Sequence, residues 1–287
     1  MNPGARLDPA VIEAAVNLAL EEDSAYEDVT TQSIFDRDDT LSGIIVAKAP
    51  GVLAGLPVAG AVFRRLDDGF SFKEELGDGE RVSRGSVVAR CRGRAWAVLS
   101  GERVALNFLQ RLSGIATMTA RYVEAAGDSG TCILDTRKTT PGLRAMEKYG
   151  VLVGGGRNHR FSLEDMVLIK DNHIEASGSI RSVVERVRCR STGRAIEVEV
   201  QNLQQLEEVL PLDVDRVMLD NFHLDGMKRA MEIIGNYDGR RPEVEISGGV
   251  TLETVGSFAR VGADFISVGA LTHSAIALDI SMEITSC

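Results

Sequence analysis

Arginine, lysine and histidine crowd one stretch of an otherwise acidic chain. Between Arg137 and His173 there are seven Lys/Arg against four Asp/Glu, in a sequence of 287 residues with a formal net charge of −10. Cations concentrated on an acidic chain point to a local anion site, with a solvated charged face as the plainer reading. Asp135-Thr-Arg-Lys-Thr-Thr-Pro-Gly-Leu-Arg144 leaves an apolar run and enters a loop that Pro141 and Gly142 keep irregular. Gly154-Gly-Gly-Arg-Asn-His-Arg160 follows, and Lys170 ends the next apolar run. Guanidinium groups grip carboxylates through two bonds, whereas lysine acts as a compact point charge. Arg137, Lys138, His159, Arg160 and Lys170 at one place suit several carboxylates or phosphates; each alone also reads as half of a surface ion pair. The triple glycine lacks the spacing of a Walker loop or a dinucleotide fingerprint.

Carboxylates come next. In Ile196-Glu-Val-Glu-Val200, strand alternation puts Glu197 and Glu199 on one face and the valines on the other. Asp220 ends the run Val217-Met-Leu-Asp-Asn221. Glu199 and Asp220 therefore fall on neighbouring strands near one rim, where hard oxygen ligands suit Mg²⁺ shared with water and substrate phosphate. They equally suit a developing ribosyl cation, or a structural role neutralising the basic zone. Glycines follow: Ser247-Gly-Gly249 after one run and Gly269-Ala-Leu-Thr-His273 after another. Bare backbone N–H groups after late strands commonly take a phosphate, although Gly-Gly is also a turn. His273 reads as a phosphate contact or a helix cap. No Ser-His-Asp or Cys-His arrangement and no histidine pair at metal spacing is apparent.

Six short runs position these groups: Cys132–Lys138, Met166–Asn172, Ile196–Val200, Val217–Asn221, Val244–Gly249 and Phe265–Gly269. Each begins apolar and ends polar, the pattern of barrel strands whose C-terminal ends carry the active face. Their starts recur every 20 to 34 residues, and helical patterns at Val183–Val187, Leu203–Leu210, Leu224–Ile234 and Leu252–Val261 connect them. Six strands instead of eight predict an incomplete α/β barrel, with an open doubly wound sheet as the alternative. Ahead of it, Asp8 and Pro9 start a helix over 8–22, and Leu41–Lys48 reads as a strand. Residues 41–98 carry the glycine rhythm of antiparallel strands, giving a small α+β domain. Ser100 is a candidate cap for a helix that bridges the two domains. Arg103 then falls in the first turn, where the helix dipole disfavours a cation, so it either serves a ligand or partner subunit or is a plain surface arginine.

The negative total argues against a general nucleic-acid binder. The four cysteines, Cys91, Cys132, Cys189 and Cys287, show no pairing or metal spacing, which fits a reducing cytoplasm. The first eight residues hold no apolar signal core, and no apolar run approaches membrane length.

The long motifs at Asp135–Arg144, Gly154–Arg160, Leu168–Ile174 and Ser267–His273, with Ala105–Thr117, resemble the quinolinate phosphoribosyltransferase family, nicotinate-nucleotide pyrophosphorylases, over nearly the whole chain. The resemblance implies an α/β chain: an N-terminal α+β open sandwich domain (1–110, with the tail 275–287 packing on it) and an incomplete α/β barrel (111–274). It implies transfer of phosphoribosyl from 5-phosphoribosyl 1-pyrophosphate to quinolinate with loss of CO₂, in NAD biosynthesis. It also implies a homodimer or hexamer with shared active sites, and Mg²⁺ as cofactor. Carried over by position, Arg137, Lys138, His159, Arg160 and Lys170 form the quinolinate pocket, with Arg103 reaching in from a partner. Glu199 and Asp220 face the ribose and metal; Ser247, Gly248, Gly249, Gly269 and His273 surround the phosphates. Lys138 and Lys170 neutralise the leaving group. The chain departs from the family pattern at Arg157, Ile246 and Glu27, where histidine, alanine and glycine are common; the first adds a cation that bears on substrate choice. A molybdenum-transport-associated phosphoribosyltransferase acting on another base, or a non-catalytic sensor of phosphorylated metabolites, remain the competing readings.

Overall fold

The computed structural model of the chain describes residues 6–190 and 193–285. Cys287 and the first five residues, read above for a targeting signal, lie outside the described residues. In chain order the strands are β1 (Thr40–Ala47), β2 (Gly51–Val52), β3 (Ser71–Glu74), β4 (Arg81–Val82), β5 (Val87–Arg94), β6 (Cys132–Leu134), β7 (Val167–Ile169), β8 (Ile196–Val200), β9 (Arg216–Asp220), β10 (Glu243–Ser247), β11 (Phe265–Ser267) and β12 (Ile280–Thr285). The helices are α1 (Pro9–Glu22), α2 (Val29–Ile34), α3 (Leu56–Leu66), α4 (Ala95–Ala126), α5 (Arg144–Val153), α6 (Asp171–Ser177), α7 (Ile180–Arg190), α8 (Leu203–Val209), α9 (Leu224–Gly235), α10 (Leu252–Ala259) and α11 (Ala270–His273). Two compact units interleave along the chain. The first comprises the described parts of Met1–Ala120, Thr139–Gly155 and Leu271–Cys287, the second those of Arg121–Lys138 and Gly156–Ala270.

The first unit is built on an antiparallel sheet of order β12-β1-β5-β3. The tail strand β12 closes one edge, pairing Ser42 with Thr285 through Ala47 with Ile280. Alternation along β5 buries Ala89 and Cys91 and turns Arg90, Arg92 and Arg94 outward. The buried face packs with α3, whose Val58, Ala59, Val62 and Phe63 are fully enclosed; Phe63 stacks on Phe70 at 4.6 Å between ring centroids. Helix α1 starts as its sequence dictates: Asp8 Oδ1 accepts from the Ala10 N–H and Pro9 fills the first position.

Helix α4 overturns one expectation. It begins at Ala95, not near Ser100. Ala-Trp-Ala-Val-Leu contains no breaker, and Ala95, Ala97 and Val98 are fully buried, so packing extends the helix backward. Ser100 is not its cap; its hydroxyl donates to Asp28 Oδ2 at 2.9 Å, and Asp28 caps α2 by accepting from the Thr30 and Thr31 N–H groups. Arg103 accordingly sits in the third turn, beyond the dipole's reach. The polar residues further along α4 hold chain segments of the first unit. Ser113 exchanges hydrogen bonds with the backbone of Ala54, and Gln110 reaches the Ile280 carbonyl. Gly114 admits the tail, since a Cβ there would lie 2.2 Å from the Ile276 carbonyl oxygen. Arg111 pairs with fully buried Glu147 at 2.7 Å and also reaches the Thr272 and Ala275 carbonyls.

The second unit is a parallel sheet of order β6-β11-β10-β9-β8-β7. From β7 to β11 the spatial order follows the chain, and β6, first in sequence, lies beside β11, last in sequence. First beside last is how a barrel closes; a doubly wound sheet would reverse at a switch point instead. On its other side β6 is met by a single parallel bridge, Leu134 to Arg157, so the opening lies between Arg157 and β7. This is the incomplete α/β barrel expected from the six runs. The register puts Ile196, Val198, Val200, Val217, Leu219, Val244, Ile246 and Ile266 on one face, all buried, and Glu197, Glu199, Arg216, Met218, Glu245 and Phe265 on the other. Glu197 and Glu245 stand two strands apart and two residues out of register, roughly 11–12 Å in a flat sheet. Both nevertheless come within 3.4 Å of the same imidazole nitrogen of His159, so their face is concave and charged.

Candidate active site

Because the six strands are parallel, their C-terminal ends share one rim. Arg137 and Lys138 follow β6, His159 and Arg160 follow the Arg157 bridge, and Lys170 follows β7. Glu199 lies one residue from the end of β8; Asp220 ends β9, Ser247 ends β10 with Gly248 and Gly249 beyond it, and Gly269 follows β11. The cations therefore flank the barrel's opening, the carboxylates come next around the rim, and the glycines complete the circuit. Arg103 and His273 belong to the first unit. Arg103 is exposed on α4, and His273 ends α11 with its Nδ1 2.6 Å from the Ser274 hydroxyl.

The loop after β6 is fixed through Asp135, which is fully buried and accepts the His159 N–H at 2.8 Å. That bond, with Asp135 N–H to the Arg157 carbonyl, sets the Gly156–Arg160 segment against β6. Arg160 donates to the Met166 carbonyl at 3.1 Å. Its pKa is lowered, first by burial and then by the like charge of Arg137. Glu197 and Asp165 oppose both effects, so the cations here are partly balanced by carboxylates of the same chain. Beyond Lys138 the motif turns structural: within the first unit Thr139 accepts from Arg144, and Thr140 binds Glu147 through N–H and hydroxyl. The triple glycine is structural in part as well. A Cβ at Gly154 would stand 2.5 Å from the Ala116 carbonyl oxygen, so that position serves close packing.

Lys170 Nζ lies 3.0 Å from Glu199 Oε2, with the lysine half exposed and the glutamate nearly buried. The Lys170 backbone N–H donates to His173 Nδ1, so His173 caps α6. Asp220 accepts from Asn221 Nδ2 at 2.7 Å, and Asn221 holds a left-handed backbone with φ 58°. Gly248, at φ +90°, must be glycine, because a Cβ there would meet Asn221 Oδ1 at 2.1 Å. Gly249, at φ +61°, has open space where its Cβ would point. A strained Asn221 against a left-handed glycine pair on the next strand is the kind of local cost that collects at ligand sites.

Sequence reasoning missed the groups beneath this rim. His159 Nε2 lies 3.0 Å from Glu197 Oε2 and 3.4 Å from Glu245 Oε2; Arg216 Nη1 reaches Glu245 at 3.2 Å while its guanidinium covers Phe265. Burial pulls the His159 ring down, but hydrogen bonds and charge from Glu197 and Glu245 outweigh it and raise the pKa to about 9. Glu197 is pushed up to about 7, first by burial and then by the Glu245 charge, with His159 opposing. Glu245 is lowered despite burial, because His159, Ser267 and Arg216 stabilise its anion. The Oε1 atoms of both glutamates are buried without a partner among the described residues, at a cost of about 1–3 kcal/mol each. The available signal was Glu245 itself, a carboxylate inside the apolar run Val244–Ile246 at the same period as Glu197. Among the described residues this is also the one set of three histidine or acidic groups close enough to share an ion. Glu199 and Asp220 do not form such a cage by themselves. They offer two hard-oxygen groups on one face, which suits an ion completed by water and phosphate.

No helix of the structure, among the described residues, is long and apolar enough to cross a membrane. The N-terminal domain model of quinolinate phosphoribosyl transferase matches residues 28–113, and the C-terminal domain model matches residues 115–283. A probable nicotinate-nucleotide pyrophosphorylase [carboxylating] of Bacillus subtilis is 44% identical over 266 residues, covering 92% of this chain and 90% of the relative. The chloroplastic nicotinate-nucleotide pyrophosphorylase [carboxylating] of Arabidopsis thaliana is 41% identical over 293 residues, 95% of this chain and 82% of that one. The crystal structure of NadC from Streptococcus pyogenes superposes with a TM-score of 0.93 at 43% identity, covering 98% of both chains.

Proposed function

The chain belongs to the quinolinate phosphoribosyl transferase family, and from that premise we infer how its barrel rim performs the family's reaction. The chain transfers phosphoribosyl from 5-phosphoribosyl 1-pyrophosphate to quinolinate with loss of CO₂, giving nicotinate mononucleotide and pyrophosphate in NAD biosynthesis. Transfer to another base by a molybdenum-transport-associated relative, or mere sensing of phosphorylated metabolites, finds no support among the relatives.

Our assignment of roles rests on one observation: the segments carrying Arg137, Arg160 and Lys170 leave the same end of the parallel sheet, on either side of the barrel opening. Those cations hold the two carboxylates of quinolinate, with His159 as a further donor. The pyridine nitrogen then faces the anomeric carbon. A C–N bond forms as the C–O bond to pyrophosphate breaks, and the electron pair leaves with pyrophosphate. Lys138 and Lys170 neutralise that leaving group, while Ser247, Gly248, Gly249, Gly269 and His273 take the phosphates. Glu199 and Asp220 favour the positive charge that develops on the ribosyl ring, a stabilisation by fixed charge that requires no base at the attacking nitrogen. Glu199 and Asp220 would hold Mg²⁺, which when bound supplies charge neutralisation at the phosphates. Once ribosylated, the ring nitrogen is cationic. The bond to the adjacent carboxylate breaks, CO₂ leaves, and the electron pair stays on the ring carbon until a proton replaces it.

We extend the proposal to assembly and place. Arg103, exposed in mid-helix without a helix-end role, reaches the site of a partner subunit in a homodimer or hexamer. Exposed Leu18, Tyr26, Val29 and Ile34 around α1 and α2 support burial of that surface against a second copy. Unpaired Cys91, Cys132 and Cys189 fit a cytoplasmic location. Pyrophosphate and CO₂ release, measured with quinolinate, phosphoribosyl pyrophosphate and Mg²⁺, tests the reaction. Both products must appear in equal amounts; pyrophosphate without CO₂, or release with nicotinate instead, would remove the assignment.

A further inference from the structure

Glu147 is fully buried, yet neither of its oxygens is short of a partner. Oε1 accepts from Arg111 Nη2 at 2.7 Å, from Arg111 Nε at 3.2 Å and from the Thr140 hydroxyl at 2.8 Å. Oε2 accepts the Thr140 N–H at 3.0 Å. The same guanidinium donates to two carbonyls, those of Thr272 and Ala275. All of these residues belong to the first unit. The local sequence makes the contact possible. Pro141 and Gly142, the latter at φ 80°, form a tight turn closed by the Leu143 N–H on the Thr140 carbonyl at 3.0 Å. That turn leads into α5, whose first-turn Glu147 bonds back to Thr140.

A buried ion pair is weak evidence of stability, since apolar residues of similar volume often do as well. What this pair supplies is position. Strands β6 and β11 are neighbours, and the Val268 N–H donates to the Leu134 carbonyl at 2.9 Å where both strands end. Beyond that point the two chain segments are caught again, at Thr140 and Thr272, by one arginine and its glutamate. Between these anchors lie Arg137, Lys138 and Gly269, and His273 follows Thr272 directly. Each segment is thus pinned on both sides of its rim residues, which is how a supporting shell presets the side chains and backbone groups that meet a ligand.

We propose that Arg111 and Glu147 are positioning residues for the phosphate end of the site. They set the segments that carry Lys138, Gly269 and His273 for phosphoribosyl pyrophosphate, and touch no substrate themselves. The proposal rests on the roles given to those three residues under the function above. Arg160 and Lys170, on segments that the pair does not bind, keep their hold on the pyridine dicarboxylate when the pair is broken.

Steady-state kinetics of the full chain, varying each substrate with the other saturating, tests it. Glu147→Gln and Arg111→Lys are each expected to raise the phosphoribosyl pyrophosphate KM by about tenfold, while the quinolinate KM stays within about threefold. Thr140→Val, which loses one hydroxyl donor and keeps the N–H, should raise the same KM by about fivefold. Combining Glu147→Gln with Arg111→Lys should add little to either alone, because both act through one contact. A merely architectural pair would lower the melting temperature and leave both KM values of the folded fraction at parental levels. That result, or an equal rise in both KM values, would overturn the proposal. Lys138→Ala and His273→Asn separate it from the roles it rests on. If these raise the phosphoribosyl pyrophosphate KM and the three variants above do not, this proposal alone fails; if they leave it unchanged, the phosphate assignment fails with it. Should Glu147→Gln or Arg111→Lys not fold, Thr140→Val carries the same test.

Discussion

Arg137 and Arg160 show how little a single charge means until its neighbours are known. Each alone is an unremarkable arginine; in the folded chain burial first, and then the charge of Arg137, lower the Arg160 pKa, with Glu197 and Asp165 opposing. Truncating either to alanine is expected to lower kcat/KM for quinolinate by about tenfold or more, since a carboxylate loses a charged partner. Near-parental turnover in both variants, with both substrates titrated, would refute their place in the pocket. His159 and Glu197 carry a second expectation. The fold raises both pKa values, so each contributes stability that is fully present below its unfolded value and lost as pH rises through its folded value. For Glu197 that window runs from 4.5 to about 7, and for His159 from 6.5 to about 9. The unfolding temperature should therefore fall between pH 6.5 and 9, by roughly 2–4 °C for each kcal/mol lost. Calorimetry across that range should find a flatter slope in His159→Asn; an identical slope would remove His159 as the cause. The cations were legible in the sequence because charge crowding is a local property. Glu197, Glu245 and Arg216 were not read as one cluster, because nothing local says that strands β8 and β10 curl toward the same imidazole.

At the scale of elements, all six barrel strands and the four connecting helices stand where periodicity puts them. Helix α4 does not, and the reason is physical. A serine before an apolar stretch reads as a cap, but tertiary burial of Ala95, Ala97 and Val98 outweighs that local signal and leaves Ser100 inside the helix. Its hydroxyl instead joins the Thr30 N–H and the Thr31 N–H and hydroxyl on Asp28, whose pKa is lowered by those donors, Thr31 foremost. Asp28→Ala should cost about 1–2 kcal/mol of stability by removing the cap of α2 and orphaning Ser100, with activity kept in the folded fraction. Denaturant titration measures it; a loss under about 0.5 kcal/mol would show that the cap contributes little. The Ala105–Thr117 motif contributes to the family resemblance in one dimension. In the folded chain Gln110, Arg111, Ser113 and Gly114 secure the tail, the Glu147 segment and the Ala54 backbone, so much of its specificity serves architecture.

For the whole molecule, the proposed sharing of sites between subunits makes a direct prediction. Arg103→Ala and Lys170→Ala chains, each nearly inactive alone, should regain about a quarter of parental activity when unfolded and refolded together as dimers, because half the dimers are mixed and each mixed dimer holds one intact site. Mixtures no more active than their components would place Arg103 outside any partner's site. The chain's own residue order determined that there is an α/β barrel of six strands, that cations, carboxylates and glycines follow one another around its rim, and which reaction they serve. These are consequences of periodicity and of motifs, both carried by neighbours in sequence. Only the tertiary structure decided that the barrel stays open between Arg157 and β7, that Thr139–Gly155 belongs with the sandwich unit, and that His159 is gripped from behind by two buried glutamates. Those facts depend on contacts between residues distant in sequence, which chain closure and burial select and no local pattern records.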